Sequence, residues 1–233
     1  MPSRAGADAW RPYVVINMVC SVDGRTAIGG KASSLGTTTD RRVMRTLRSK
    51  ADAVMIGGGT LRAERLSLGL DQSDDAPPPL AIIVTNKGDI PLEENLIVTG
   101  GQEVLILLSD VAPDGLVEEL GKLAPVMRAP AGPTGTVDLQ EALRALKAER
   151  GVESLVVEGG PSLNHALISR NLVDEFFLTV APELLGGTAS QTLTLLRGPE
   201  LAARPNLELL SVHLAENELF LRYSLIRTQP GSA

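Results

Sequence analysis

The chain has 233 residues and a net charge of -6, with 43% hydrophobic, 21% charged and 3% aromatic residues. That acidic balance excludes nucleic acid as the main partner, although a small anion in a local basic pocket stays open. One cysteine excludes an internal disulfide, and Cys20 with His165 and His213 cannot build an ordinary metal site without carboxylates, so no metal is expected.

With so few aromatics, Leu, Val and Ile must supply the apolar burial. Residues 1–12 read as a flexible N-terminus without the apolar run of a signal peptide. No run reaches membrane-spanning length, so the expectation is a cytoplasmic protein with no membrane partner. Tyr13 to Val19 and Ala53 to Ile56 are short, nearly continuous apolar runs, which predicts strands buried on both faces. Between them Thr39 to Lys50 reads as a helix, capped by Thr38, Thr39 or Asp40. Leu80 to Val84 and Val104 to Leu108 are strands, Asp114 to Leu123 is a helix, and Val126 lies near a short strand.

Asp138 to Glu149 is the clearest helix, with Asp138 and Glu141 at capping-box spacing and Leu139, Ala142, Leu143 and Leu146 as its apolar stripe. Ser154 to Val157 is a strand, Ser162 to Ser169 a helix and Glu175 to Val180 a strand. Asn206 to Leu214 and Glu218 to Ile226 flank the turn Ala215-Glu216-Asn217 and read as an antiparallel hairpin. The expectation is an α/β fold: a mixed, mainly parallel sheet, helices on both faces and an antiparallel C-terminal hairpin. Residues 13–227 read as a single domain, and 228–233 as a flexible tail.

Glycines follow two predicted strands, Gly57-Gly58-Gly59-Thr60 and Gly159-Gly160-Pro161-Ser162. Such turns let backbone approach a phosphate, and the next helix offers free N–H donors. A plain strand-to-helix turn satisfies the same spacing. The Rossmann fingerprint fails for want of a third spaced glycine, and Gly24, Gly29 and Gly30-Lys31-Ala32 miss the P-loop pattern. Arg41, Arg45 and Arg48 form a basic stripe, either solvated or reaching an anion. Cys20 suits a small buried residue, and His165 and His213 suit structural roles.

Taken in order, several blocks resemble the pyrimidine reductases of riboflavin biosynthesis. Ser21-Val22-Asp23-Gly24-Arg25 resembles their Ser-x-Asp-Gly-Arg/Lys motif. Leu47 to Thr60 resembles their segment ending in G-x-G-T. Glu158-Gly159-Gly160, Leu172-Val173-Asp174-Glu175 and Ala181-Pro182-Glu183-Leu184-Leu185-Gly186 resemble three further signatures. The resemblance implies a dihydrofolate-reductase-like fold, NADPH as hydride donor, a homodimer, and reduction of the ribosyl group of a ribosylaminopyrimidine 5′-phosphate to ribityl. The resemblance leads to the expectation of a stand-alone reductase without a fused deaminase domain, and Asn17 where fused enzymes often have Lys fits that.

By position, the resemblance implies Asn17, Ser33, Arg48 and Glu158 as substrate contacts. It implies Val19, Leu35, Thr60, Glu64, Asn86, Lys87, Gly159, Gly160, Pro161, Ser162, Leu163 and Asn164 as cofactor contacts. Asp23 and Glu158 are the carboxylates expected near the chemistry, with the proton donor unassigned between them. One departure is Glu64 to Asp71, which lacks the Pro and terminal Arg of fused members. Either Arg65 or another basic residue takes over, or the substrate differs. The alternatives are a reductase acting on dihydrofolate or another pteridine, and a nucleotide-binding protein without turnover.

Overall fold

A computed structural model of the chain describes residues 8–27, 35–63, 68–70, 77–86, 88, 90, 102–188 and 193–226. The chain opens with strand β1 (Tyr13–Ser21) and helix α1 (Thr38–Arg48). It gathers into two units, one holding the segment up to Tyr13 with Arg45–Val157, the other Val14–Met44 with the segment from Glu158 onward.

The first unit continues with β2 (Ala53–Gly57), α2 (Gly58–Ala63), β3 (Leu80–Val84), β4 (Val104–Ser109), α3 (Asp114–Gly121), β5 (Val126–Ala129), α4 (Leu139–Arg150) and β6 (Ser154–Val157). Its strands run in the order β5-β4-β3-β2-β6, every pair parallel. Val54, Met55, Ile56, Ile82, Ile83 and Ile106 have no exposed surface, as strands covered on both faces require. The Asp52 carboxylate accepts N–H from Glu153 at 3.0 Å and Ser154 at 2.8 Å, and the Ser154 hydroxyl at 2.7 Å, fastening the start of β6 to the start of β2. Asp138 caps α4 by accepting N–H from Gln140 and Glu141. Glu141 does not complete the capping box; its carboxylate pairs with Arg144 at 2.7 Å instead. Gly151 ends α4 at φ 65°, a left-handed geometry that glycine adopts without steric penalty.

The second unit adds α5 (Pro161–Ile168), β7 (Glu175–Ala181), β8 (Asn206–Ala215) and β9 (Glu218–Ile226). Its strand order is β1-β7-β9-β8, with β1 and β7 parallel and the rest antiparallel. Asp174 ties β1 to β7, accepting the Val14 N–H on its side chain at 2.8 Å while its own N–H donates to the Val14 carbonyl at 2.9 Å. Glu216 and Asn217 turn the hairpin with φ of 49° and 66°. A register shift between Leu209 and Ser211 keeps Leu207, Leu209, Val212 and Leu214 opposite Leu225, Tyr223, Leu221 and Leu219. The extra residue restores the alternation, so all eight apolar side chains share one face. That face is open: Leu207, Leu209, Val212 and Leu214 are 49%, 50%, 50% and 71% exposed.

Two expectations shift. Gly57 to Thr60 is not only a turn, because α2 begins at Gly58 and runs through Thr60; glycines mask a short helix in a propensity reading. The cap of α1 is Thr37, whose hydroxyl accepts the Thr39 N–H at 3.2 Å. No helix among the described residues is long and apolar enough to cross a membrane.

Candidate active site

The second glycine turn leads from β6 into α5. Gly160 is the N-cap residue and offers no side chain, so the first N–H groups of α5 lack a side-chain acceptor. Gly159 has φ +85°, a conformation that side-chain-bearing residues rarely adopt, and a Cβ there would crowd the Met18 sulfur of β1 at 3.2 Å. Segment 193–199 braces the turn. Arg197 N–H donates to the Pro161 carbonyl at 3.0 Å, Asn164 Nδ2 to Leu195 O at 3.2 Å, and His165 Nε2 lies 2.8 Å from Pro199 O. Asn164 is fully buried, yet its Oδ1 meets no hydrogen-bond partner among the described residues. An uncapped helix start after a glycine turn and an orphaned buried amide oxygen suit the phosphates and neighbouring donors of a dinucleotide. The residues implied by the resemblance, Gly159 to Asn164, thus stand together. The partner of His165 was invisible in sequence because Pro199 lies 34 positions away.

One face of the second unit's sheet carries the polar groups. Asn17, Phe177 and Arg222 share one register row, and Val19, Thr179 and Phe220 the next. Asn17, Thr179, His213 and Arg222 line a cavity of about 250 Å³. Arg222 is locked by Glu175 through contacts of 2.9 and 2.8 Å. Glu218, 1% exposed, accepts the Thr37 N–H at 2.9 Å and its hydroxyl at 2.5 Å. Burial pushes the Asp40 carboxyl up, and the Glu218 and Glu158 carboxylates add to the rise. The Thr179 hydroxyl and Arg41 oppose it without cancelling it. The sequence offers Asp40 only as one of three possible caps and names Glu175 only as the end of a family signature, and it does not single out Thr179, Glu218 or Arg222. A carboxylate in a Thr-rich helix start reads as a cap, and pairings across strands have no local signature.

Asp23, just past β1, accepts the Ser21 hydroxyl at 2.6 Å and N–H from Leu185 at 3.1 Å and Gly186 at 2.7 Å. The Ser21 hydroxyl, then the two N–H groups, hold its carboxyl down at about 2. Cys20 is buried, and burial together with Asp23 raises its thiol pKa, the environment of an inert structural cysteine.

In the first unit, Gly57 to Thr60 sits at the carboxyl end of β2. A Cβ on Gly58 would lie 3.2 Å from the Thr85 side chain, whereas one on Gly59 would meet only Arg62 at 3.8 Å. Gly58 is therefore a packing glycine, and Gly59 faces open space. Asn86 Oδ1 accepts the Val137 N–H at 3.2 Å. Arg48 is 4% exposed and donates to the Gly69 carbonyl at 3.0 Å, so the basic stripe ends in a buried guanidinium while Arg41 stays exposed. Leu35 is buried. Ser33, Glu64 and Lys87 lie outside the described residues, as do Arg65 and Asp71 of the altered loop.

The RibD C-terminal domain model matches residues 12–221. The chain is 32% identical over 218 residues to the 2,5-diamino-6-ribosylamino-4(3H)-pyrimidinone 5′-phosphate reductase of Methanothermobacter thermautotrophicus, covering 92% of this chain and 99% of that one. Acinetobacter baumannii RibD superposes with a TM-score of 0.75 at 24% identity, over 94% of this chain and 59% of that one. A pyrimidine reductase-like protein of Corynebacterium diphtheriae gives a TM-score of 0.75 at 23% identity, over 93% of both chains. These two likenesses establish the fold, the α/β, dihydrofolate-reductase-like arrangement expected from sequence. The match to the family model over most of the chain settles membership: the chain belongs to the RibD C-terminal domain family.

Proposed function

We propose that the chain is an NADPH-dependent reductase that converts the ribosyl group of a ribosylaminopyrimidine 5′-phosphate to ribityl in riboflavin biosynthesis. The observation that carries this is the alignment with the Methanothermobacter reductase, which spans 99% of that enzyme. The turn Gly159 to Asn164 would hold the cofactor phosphates on the open N–H groups of α5, with Asn164 Oδ1 available to a donor. When bound, NADPH supplies the hydride, and the protein's task is placement and proton supply. Asn17 and Glu158 approach the substrate in this reading. Asp23, held as an anion, orders the loop after β7 and is not the acid. Arg48 supports the substrate side through its hold on Gly69.

We further infer a homodimer in the cytoplasm, formed through the open apolar face of the β8–β9 hairpin. The exposed Leu207, Leu209, Val212 and Leu214 support it, since large contiguous apolar patches on soluble proteins mark contact sites.

The test is NADPH oxidation by the purified protein with the diaminopyrimidinone phosphate, its deaminated form and dihydrofolate in parallel. The reading expects turnover with a ribosylaminopyrimidine phosphate. Turnover with dihydrofolate alone would replace it.

A further inference from the structure

Segment 193–199 crosses the start of α5 and is anchored at both ends. At its first end the Thr26 N–H donates to the Leu193 carbonyl at 2.9 Å, and Arg25 pairs with Thr194 as an antiparallel bridge. At its last end His165 Nε2 lies 2.8 Å from the Pro199 carbonyl. A carbonyl oxygen only accepts, so Nε2 carries the hydrogen. The His165 ring lies against Gly198, where a Cβ would stand 2.5 Å from the ring's Cγ and Cε1. Gly198 is not among the left-handed glycines, so space alone keeps a side chain out.

Between these anchors the segment makes two contacts with the turn. The Arg197 N–H donates to the Pro161 carbonyl at 3.0 Å, in the first turn of α5. The Leu195 carbonyl accepts from Asn164 Nδ2 at 3.2 Å. Because a carbonyl selects the amide nitrogen, Asn164 Oδ1 is the end left without a partner among the described residues. The segment therefore sets which way this buried amide faces.

We propose that His165 and Gly198 form a latch that holds segment 193–199 on α5 and so positions the cofactor turn, an assignment that rests on the reading of Gly159 to Asn164 as the phosphate site. Both are positioning residues: they act through Leu195, Arg197 and Asn164. With the latch closed, Asn164 Oδ1 and the first turn of α5 are ordered before the cofactor arrives, which lowers the cost of binding. With it open, the Asn164 amide is free to turn, and the same groups must be ordered at the moment of binding. The latch therefore governs NADPH affinity and leaves the hydride step unchanged once NADPH is seated.

The test reads the latch with and without cofactor. Gly198→Ala should displace the His165 ring and raise the NADPH Kd at least about tenfold by calorimetry, with kcat at saturating NADPH within about twofold of wild type. His165→Leu should do the same, and His165→Gln, whose side-chain amide also donates, should recover most of the loss. The double variant His165→Ala, Gly198→Ala should bind NADPH no more weakly than His165→Ala alone, because the added methyl then meets no ring. In the cofactor-free protein, hydrogen exchange of the Arg197 N–H should be at least about tenfold faster in Gly198→Ala and His165→Leu than in wild type, with exchange in β7 unchanged. Unchanged Arg197 exchange, or equally faster exchange in β7, overturns the latch. Faster Arg197 exchange with wild-type NADPH affinity overturns its positioning role and leaves the reductase reading standing. A wild type that binds no NADPH overturns the cofactor reading itself, and the latch with it.

Discussion

The Asp23 carboxylate accepts the Gly186 N–H at 2.7 Å, so the chain just past β1 is tied to the loop that follows β7. Its carboxyl is drawn down to about 2 by the Ser21 hydroxyl and the Leu185 and Gly186 N–H groups. A depressed folded-state pKa stabilises the fold above the unfolded value of 3.8, and that contribution is lost as pH falls toward about 2. Asp23→Asn should therefore lower the melting temperature at pH 7, with the gap from wild type closing as pH drops through that window. An equal gap at all pH values would mean the charge has no part in it.

Gly159 admits no side chain without moving Met18 or leaving φ +85°. Gly159→Ala should fold and weaken NADPH binding at least about tenfold, roughly 1.4 kcal/mol. Titration calorimetry on the purified variant reads this directly. Wild-type affinity would remove the turn from the cofactor site.

Arg48 is buried and holds the Gly69 carbonyl. Loss of a charge-assisted contact of this kind costs about 1.5–3 kcal/mol. Arg48→Ala should reduce kcat/KM for the pyrimidine substrate about tenfold to a hundredfold and lower thermal stability, with NADPH affinity nearly unchanged. Arg48→Lys should recover only part, because a single ammonium cannot reproduce the planar fork. Full activity in Arg48→Ala would mark the residue as a packing group alone.

The central strands were legible because each is a short β-branched run between turn residues. Leu80–Val84 and Ser154–Val157 match residue for residue. Helix α4 was legible for a second reason: Asp138 and the stripe from Leu139 to Leu146 act locally, within one element. What escaped depends on chain segments far apart. Glu175 lies 47 positions from Arg222, and Thr37 is 181 from Glu218, so no window reveals that they meet. The open face of β8 was also hidden: the alternation of Leu219, Leu221, Tyr223 and Leu225 gives a sided strand but not which side is covered. Spacing and family motifs both point to the glycine turn, and motifs alone to Glu158, whereas the bracing of that turn by 193–199 is visible only in three dimensions.

The same hairpin face supports a prediction about assembly. Wild type should sediment as a dimer at micromolar concentration, and the double variant Leu209→Asp, Val212→Asp as a folded monomer, because a charge on each side of a self-facing patch is buried twice. A monomeric wild type would assign the exposed leucines to something other than a second copy.

The most direct measurement of the central claim is isotope transfer. With NADPH deuterated at the nicotinamide C4, incubation with the ribosylaminopyrimidine phosphate should yield a ribityl product carrying deuterium at C1′, read by mass spectrometry and proton NMR. Unlabelled product, or no ribityl product from an enzyme that does oxidise NADPH with dihydrofolate, would contradict the assignment.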